Sequence, residues 1–199
     1  CVKKIENFGF YDIVLSVKSS DVLTCIKAYR LLNEKTEYPL HLGVTEAGDL
    51  LTSAVKSSAA LGCLLLEGIG DTIRISITGN PITEVETAFI LLKSLGLRKG
   101  LEIISCPTCS RTSVDLENLV QKVKTALTFL KDFPIKVAIM GCAVNGIGEA
   151  KDANFGVAAS NGKGVIFAEG KRIKTVEEDE IINELIKLGR IYQNKTVSD

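Results

Sequence analysis

Residues 39–80 read PLHLGVTEAGDLLTSAVKSSAALGCLLLEGIGDTIRISITGN. Two short β-branched runs, Leu40 to Thr45 and Thr72 to Ile77, flank a long stretch with helical periodicity. The same alternation recurs on both sides. Asp12 to Val17 forms a similar run before it, and Leu101 to Ile104 and Lys136 to Met140 follow. Near-continuous hydrophobicity of this kind predicts parallel strands buried on both faces. The helical stretches have legible ends: Asn80 and Pro81 form a cap and a first turn, and Gly96 closes the segment containing Ile90, Leu91 and Leu95. Asp115 similarly precedes Leu116, Leu119, Val120, Val123 and Leu127, and a last helix is predicted over Val176 to Leu188 with Ile181, Ile182, Leu185 and Leu188 on one side. The fold class is therefore α/β.

Polar residues gather where the first three strands finish: Lys18 in SVKSSD, Glu46 in GVTEAG, and Arg74 with Ser76 in IRIS. An open doubly wound sheet is one architecture for this order. A barrel of strand–helix units is the other, and there the carboxyl ends of strands converge on one mouth where chemistry is placed. Taken singly, each of these residues also reads as a solvated loop residue.

The texture changes near Leu97 to Gly100, where a domain boundary is expected, separating residues 1–98 from 99–199. Beyond it, two loop-like stretches each follow an apolar strand: SCPTCSR at 105–111 and MGCAVNGIGEA at 140–150. Asn161-Gly162-Lys163-Gly164 predicts a hairpin turn between Phe155 to Ala159 and Val165 to Ala168.

Composition narrows the function classes. With 199 residues the chain can bury a sizeable core. Lys plus Arg total 24 and Asp plus Glu total 24, which gives no electrostatic reason to expect nucleic acid or an anionic membrane as partner. Apolar runs such as Leu61 to Leu66 are far shorter than the ~20 residues of a membrane span, so no membrane is expected. The opening Cys1 suggests a piece of a longer protein. Six cysteines are too few for a disulfide scaffold, and the cytoplasm is the expected compartment.

Cys106 and Cys109 form a C-x-x-C on one loop, and Cys142 lies on the loop after the next strand, so a fold can bring all three thiols together. Three thiolates suit a soft metal or an iron–sulfur cluster. Two other readings stand beside this one: a zinc-stabilised binding or structural module, and a thiol–disulfide oxidoreductase using Cys106 and Cys109. A cluster would find a fourth donor in Glu149, a weaker carboxylate ligand that leaves one iron replaceable by substrate; Glu149 as a carboxylate facing water is the alternative. His41 reads as a packed or hydrogen-bonded residue, and Cys1, Cys25 and Cys63 as small hydrophobes in helices.

Together, SVKSSD with AYRLL, PLHLGVTEAG, AVKSS, EGIGDTIRIS, CPTCSR and the GCAVNG and GEA pieces resemble the 4-hydroxy-3-methylbut-2-en-1-yl diphosphate synthase family (IspG/GcpE) from about residue 10 to 190. The resemblance implies the last three strand–helix units of a TIM-type barrel at 1–98, followed by an iron–sulfur reductase domain at 99–199. It implies a [4Fe-4S] cluster held by Cys106, Cys109, Cys142 and Glu149. The implied reaction is the reductive opening of 2-C-methyl-D-erythritol 2,4-cyclodiphosphate to hydroxymethylbutenyl diphosphate in non-mevalonate isoprenoid synthesis. Ferredoxin or flavodoxin would supply the electrons, in a homodimer of the bacterial cytoplasm or a plastid-type organelle. By the same resemblance Lys18, Arg74 and Ser76 contact the diphosphate, Glu46 handles a proton, and Ser110, Arg111 and Asn145 reach the substrate from the cluster domain; Asn145 as a turn former is the alternative. Two departures are visible. Ile147 stands where the family usually has Pro, and an eight-unit barrel needs ~250 residues, so this chain by itself is expected to be inactive.

Overall fold

A computed structural model describes residues 1–142, 148 and 150–198. Asn145 and Glu149 lie outside the described residues. The chain divides into two compact units, Cys1–Arg98 and Lys99–Asp199.

In the first unit a short helix α1 (Val2–Glu6) is followed by α2 (Val22–Asn33), β1 (His41–Gly43), α3 (Leu50–Leu66), β2 (Thr72–Arg74) and α4 (Pro81–Ser94). Each of the three long helices starts on a side chain that accepts an otherwise unpaired amide: Asp21 from Thr24, Asp49 from Thr52, and Asn80 from Ile82, with Pro81 in the first turn. Gly96 follows α4 at φ +71°, where any Cβ would be strained. β1 and β2 pair in parallel, and α2, α3 and α4 pack Cys25, Ile26, Tyr29, Ala60, Leu61, Leu64 and Leu91 against Leu40, Leu42, Val44 and Ile75.

The run Asp12 to Val17 does not form the expected strand. It touches β1 only through parallel bridges at Leu15–Leu40 and Ser19–Val44. The reason is local: the His41 carbonyl, which a continuous ladder would give to an amide of this run, instead accepts the Tyr29 hydroxyl at 2.7 Å and the Ser16 hydroxyl at 2.8 Å. The expectation of strands buried on both faces is also corrected. In β2 the side chains of Thr72 and Arg74 are exposed on either side of a half-buried Ile73, so one face of this sheet is polar.

The second unit runs β3 (Glu102–Ser105), α5 (Leu116–Ala126), β4 (Lys136–Met140), β5 (Phe155–Ser160), β6 (Lys163–Ala168), β7 (Lys171–Glu177) and α6 (Ile181–Ser198). Its sheet has the order β3-β4-β5-β6-β7, parallel across the first three strands and antiparallel across the last three. One core cluster joins the sheet to α5 and α6 through Val123, Leu127, Ile139, Val157, Ile181 and Leu185; a second comprises Ala138, Met140, Ala150, Ala153, Ala158 and Phe167.

The β5–β6 hairpin forms as predicted, with Asn161 and Gly162 at φ 50° and 75° in a tight turn. A second turn at Glu169 and Gly170, at φ 50° and 71°, leads into β7. The sequence reading missed this strand and began the last helix at Val176. β7 carries Lys171, Arg172 and Lys174 on its exposed positions, a pattern without the alternation that marks a half-buried strand.

Close packing makes one glycine indispensable. A Cβ at Gly156 would stand 2.2 Å from the Ala138 carbonyl oxygen and 2.7 Å from the Phe167 ring. Gly156→Ala is expected to lower the free energy of unfolding by about 3 kcal/mol or more. Urea denaturation checks this, and a loss below about 1 kcal/mol would show that β4 can yield.

Of the cysteines outside the loops, Cys63 matches the reading as a small hydrophobe in part, half-buried against the core of the first unit, and Cys25 matches it fully. It is fully buried and points its thiol at the Gly43 carbonyl, 3.6 Å away. Cys1 is exposed, and Cys63 sits 3.3 Å from both Arg30 Nη2 and Glu67 Oε1, drawn into the ion pair that ties α2 to α3.

Candidate functional site

The first candidate site is the polar face of the β1–β2 sheet. Register places Thr72 beside His41 and Arg74 beside Gly43. The two bridges to the preceding segment bring Ser16 and Lys18 abreast of the same two β1 residues. Gly43 leaves the centre of this face without a side chain, and Lys18 lies across it: a Cβ there would meet Lys18 Cε at 3.1 Å and the Arg74 carbonyl at 3.2 Å. Arg74 donates from Nε to the Ser76 hydroxyl at 3.1 Å, which fixes one edge of its guanidinium. The buried Ser53 of α3 holds the Ser76 carbonyl at 2.7 Å, so the loop after β2 is pinned from behind.

No described carboxylate pairs with Lys18 or Arg74. Burial, and then the Arg74 charge, hold the Lys18 ammonium below its usual range. An ammonium depressed by a neighbouring guanidinium, with no counter-charge among the described residues, forms with it a surface suited to an anion.

Glu46 stands in the loop after β1, exposed and at φ 52°. The other non-glycine residues with positive φ among those described, Asn161 and Glu169, lie in hairpin turns. A left-handed glutamate costs on the order of 1 kcal/mol, and such strain gathers at working sites. The loop is held open by Asp49 on the Thr52 amide and by the Thr78 amide on the Gly48 carbonyl at 2.9 Å. Glu46→Gly is expected to unfold no more easily than the parent, with a gain of up to about 1 kcal/mol. A clear loss of stability in chemical denaturation would mean instead that the Glu46 side chain serves the fold.

The second candidate site lies at the carboxyl ends of β3 and β4. Ser105 pairs with Ile139, so Cys106 emerges beside Met140 and Gly141. The Gly141 amide donates to Cys106 Sγ at 3.2 Å, tying the C-x-x-C loop to the strand end that leads into Cys142. Thr112 braces the loop: its hydroxyl accepts the Cys109 amide at 3.2 Å, and its methyl packs so tightly over Gly141 that a Cβ there would approach to 2.8 Å. Ser113 fastens the far end by accepting the Asn161 amide of the β5–β6 turn at 3.1 Å. The Arg111 amide, then the Arg111 side chain and the Thr112 hydroxyl, hold the Cys109 thiol below its usual range. Ser110 and Arg111 are exposed on the same loop.

The described donors at this site are all free thiols, and the Gly141 amide donates to one of them, so their chemistry fits a thiophilic metal group. The three sulfurs are adjacent in topology. Among the described residues, however, no three ligating side chains stand close enough together to hold a metal ion.

Sequence reasoning missed three residues that shape these sites. His41 was read only as packed or hydrogen-bonded; it does bond Thr72, through Nδ1 at 2.9 Å, but it also lies on the same face as Lys18 and Arg74. The period-two spacing of His41 and Gly43 within the strand could have revealed it. Thr72 and Thr112 carried no sequence signal.

With this geometry in place, the two units have separate counterparts. Residues 1–89 match the family model described as the GcpE TIM-barrel domain, and residues 102–190 match the GcpE protein C-terminal domain. Curated relatives named 4-hydroxy-3-methylbut-2-en-1-yl diphosphate synthase (flavodoxin) align along nearly the whole chain. One from Thermodesulfovibrio yellowstonii is 52% identical over 187 residues, covering 94% of this chain and 53% of the relative. Another, from Caldicellulosiruptor saccharolyticus, is 54% identical over 186 residues, covering 94% and 53%, and one from Desulfotalea psychrophila is 52% identical over 199 residues, covering 98% and 54%. The chain belongs to the GcpE family. It spans about half the length of the curated relatives it matches.

Proposed function

We propose that this chain is the catalytic C-terminal part of a reductase that opens 2-C-methyl-D-erythritol 2,4-cyclodiphosphate to hydroxymethylbutenyl diphosphate for isoprenoid synthesis. The observation that carries this reading is the bond from the Gly141 amide to Cys106 Sγ, which joins the two thiol-bearing loops in a chain whose relatives bear that synthase name. Residues 1–98 are assigned as the last three strand–helix units of a TIM-type barrel and residues 99–199 as the reductase domain. Flavodoxin is the assigned electron donor, following the relatives' names. No helix of the described residues is long and apolar enough to cross a membrane. The cytoplasm is the assigned compartment. A homodimer is the assigned assembly.

Cys106, Cys109 and Cys142, with Glu149 as the fourth donor, are the residues that would hold a [4Fe-4S] cluster. When bound, such a cluster supplies electrons and a Lewis-acidic iron. The chain's own residues do the rest. Lys18 and Arg74 hold the diphosphate, the first as a point charge and the second through two parallel N–H groups, while Ser76 keeps the guanidinium in plane. Glu46 exchanges a proton beside the reacting carbon, which its loop exposes. Ser110, Arg111 and Asn145 are assigned as further substrate contacts. Two electrons enter, the ring C–O bond to phosphate breaks, the neighbouring hydroxyl leaves as water with a proton, and a C=C double bond forms between the two carbons.

The test is anaerobic purification of the full-length protein followed by assay with reduced flavodoxin and the cyclic diphosphate. Product formation with bound iron is expected. Zinc in place of iron, with no visible absorption and no product, would leave a structural module instead.

A further inference from the structure

We infer that His41 is a third member of the anion-binding face, one that takes up a proton from solvent when a diphosphate group settles on Lys18 and Arg74. This rests on the reading that those two cations hold the substrate's diphosphate. The geometry points to it on three counts. First, His41 and Gly43 share a face of β1, and their neighbours across the sheet are Thr72 and Arg74 on one side and Ser16 and Lys18 on the other. The imidazole and both cations therefore surround one patch of bare backbone at Gly43, over which Lys18 already lies.

Second, the ring is oriented. Its Nδ1 meets the Thr72 hydroxyl at 2.9 Å. With that hydroxyl donating, the ring hydrogen resides on Nε2, which has no partner among the described residues and is free to donate to an oxyanion.

Third, the surroundings make the ring's charge depend on the anion. Burial, then Lys18 and Arg74, hold the imidazole below its usual range, so it is neutral near pH 7 while the face is empty of counter-charge. The nearby groups that could offset those cations are otherwise engaged. The Asp71 carboxylate accepts the Leu40 amide at 2.8 Å, the Tyr29 hydroxyl is spent on the His41 carbonyl, and Ser16 is uncharged. A bound diphosphate brings several negative charges onto the two cations and reverses the sign of the local field. Protonated His41 then gains what it lacked, and up to one proton is drawn from solvent per anion bound.

Linkage fixes the size of the effect. If the anion raises the ring's titration midpoint by one unit, the protonated form binds the anion about tenfold more tightly than the neutral form. The His41 contribution to affinity is thus present below the free-state midpoint and lost as pH rises through the bound-state midpoint.

In the full-length protein the His41 Hε1 resonance is identified by its loss in His41→Gln, and it reports on the ring. The experiment titrates that resonance with and without saturating inorganic pyrophosphate, with phosphorus NMR following binding. A midpoint below the ordinary value of about 6.5 is expected without the anion, and one at least about a unit higher with it. Affinities of the parent chain and His41→Gln across the same pH range cancel the ligand's own ionisation; the parent is expected to show about tenfold more weakening toward alkaline pH. Thr72→Val keeps the histidine and removes its ring partner, and is expected to weaken binding a few-fold while shifting the midpoint. Pyrophosphate that binds while the midpoint stays put, or equal pH dependence in parent and His41→Gln, overturns the inference and leaves the diphosphate face standing. Absence of pyrophosphate binding at every pH removes both.

Discussion

Cys142→Ala in the full-length protein is expected to strip it of iron and to reduce turnover by at least about a hundredfold. The expectation follows from how few donors are available. Cys106 and Cys109 sit on one braced loop, and Cys142 is the described thiol that follows directly from the neighbouring strand end. Removing it leaves a thiophilic group with only two thiol donors, both from one loop, and with a coordination position open to water. Cys63→Ala is the matched control. Its thiol contacts Arg30 and Glu67 on the outer side of α2 and α3, so its loss is expected to leave the iron content unchanged. Iron analysis and visible absorption under anaerobic conditions measure both variants. Full iron occupancy in Cys142→Ala would remove this residue from the ligand set.

Arg74→Met carries the second large effect. On the proposed role of Arg74, its two parallel hydrogen bonds to phosphate, each charge-assisted and worth roughly 1.5–3 kcal/mol, imply a loss of about a thousandfold in kcat/KM. Arg74→Lys restores the charge without the planar fork and is expected to recover only part of it. Ser76→Ala, which merely frees the Nε edge of the guanidinium, is expected to cost a few-fold, mostly in KM. Steady-state kinetics on the full-length protein separates these. An Arg74→Met variant within about tenfold of the parent would place the diphosphate elsewhere.

The sequence was most informative where one residue type has one physical use. The caps at Asn80 and Asp115, the Asn161-Gly162 turn and the apolar runs of β1, β3 and β4 all declared themselves, because amide capping, left-handed backbone and buried strands each demand a narrow chemistry. It was silent where a third element decides the outcome. Nothing in the run Asp12 to Val17 shows that the Tyr29 hydroxyl will claim the carbonyl its ladder needs. β7 escaped notice because its exposed side chains are charged and its strand character comes from pairing with β6. The sites divide in the same way. Cys106, Cys109, Lys18 and Arg74 could be singled out from spacing and position, whereas His41 became visible only once register set it beside two cations.

The charged outer strand has a consequence beyond the fold. Lys171, Arg172 and Lys174 line β7, the last strand of the second sheet. A second molecule that tried to extend the sheet by pairing along this border would bring a strand with three cations and one carboxylate against its own copy, crowding like charges in a closing seam. Growth of the sheet into fibrils is thus discouraged along this border.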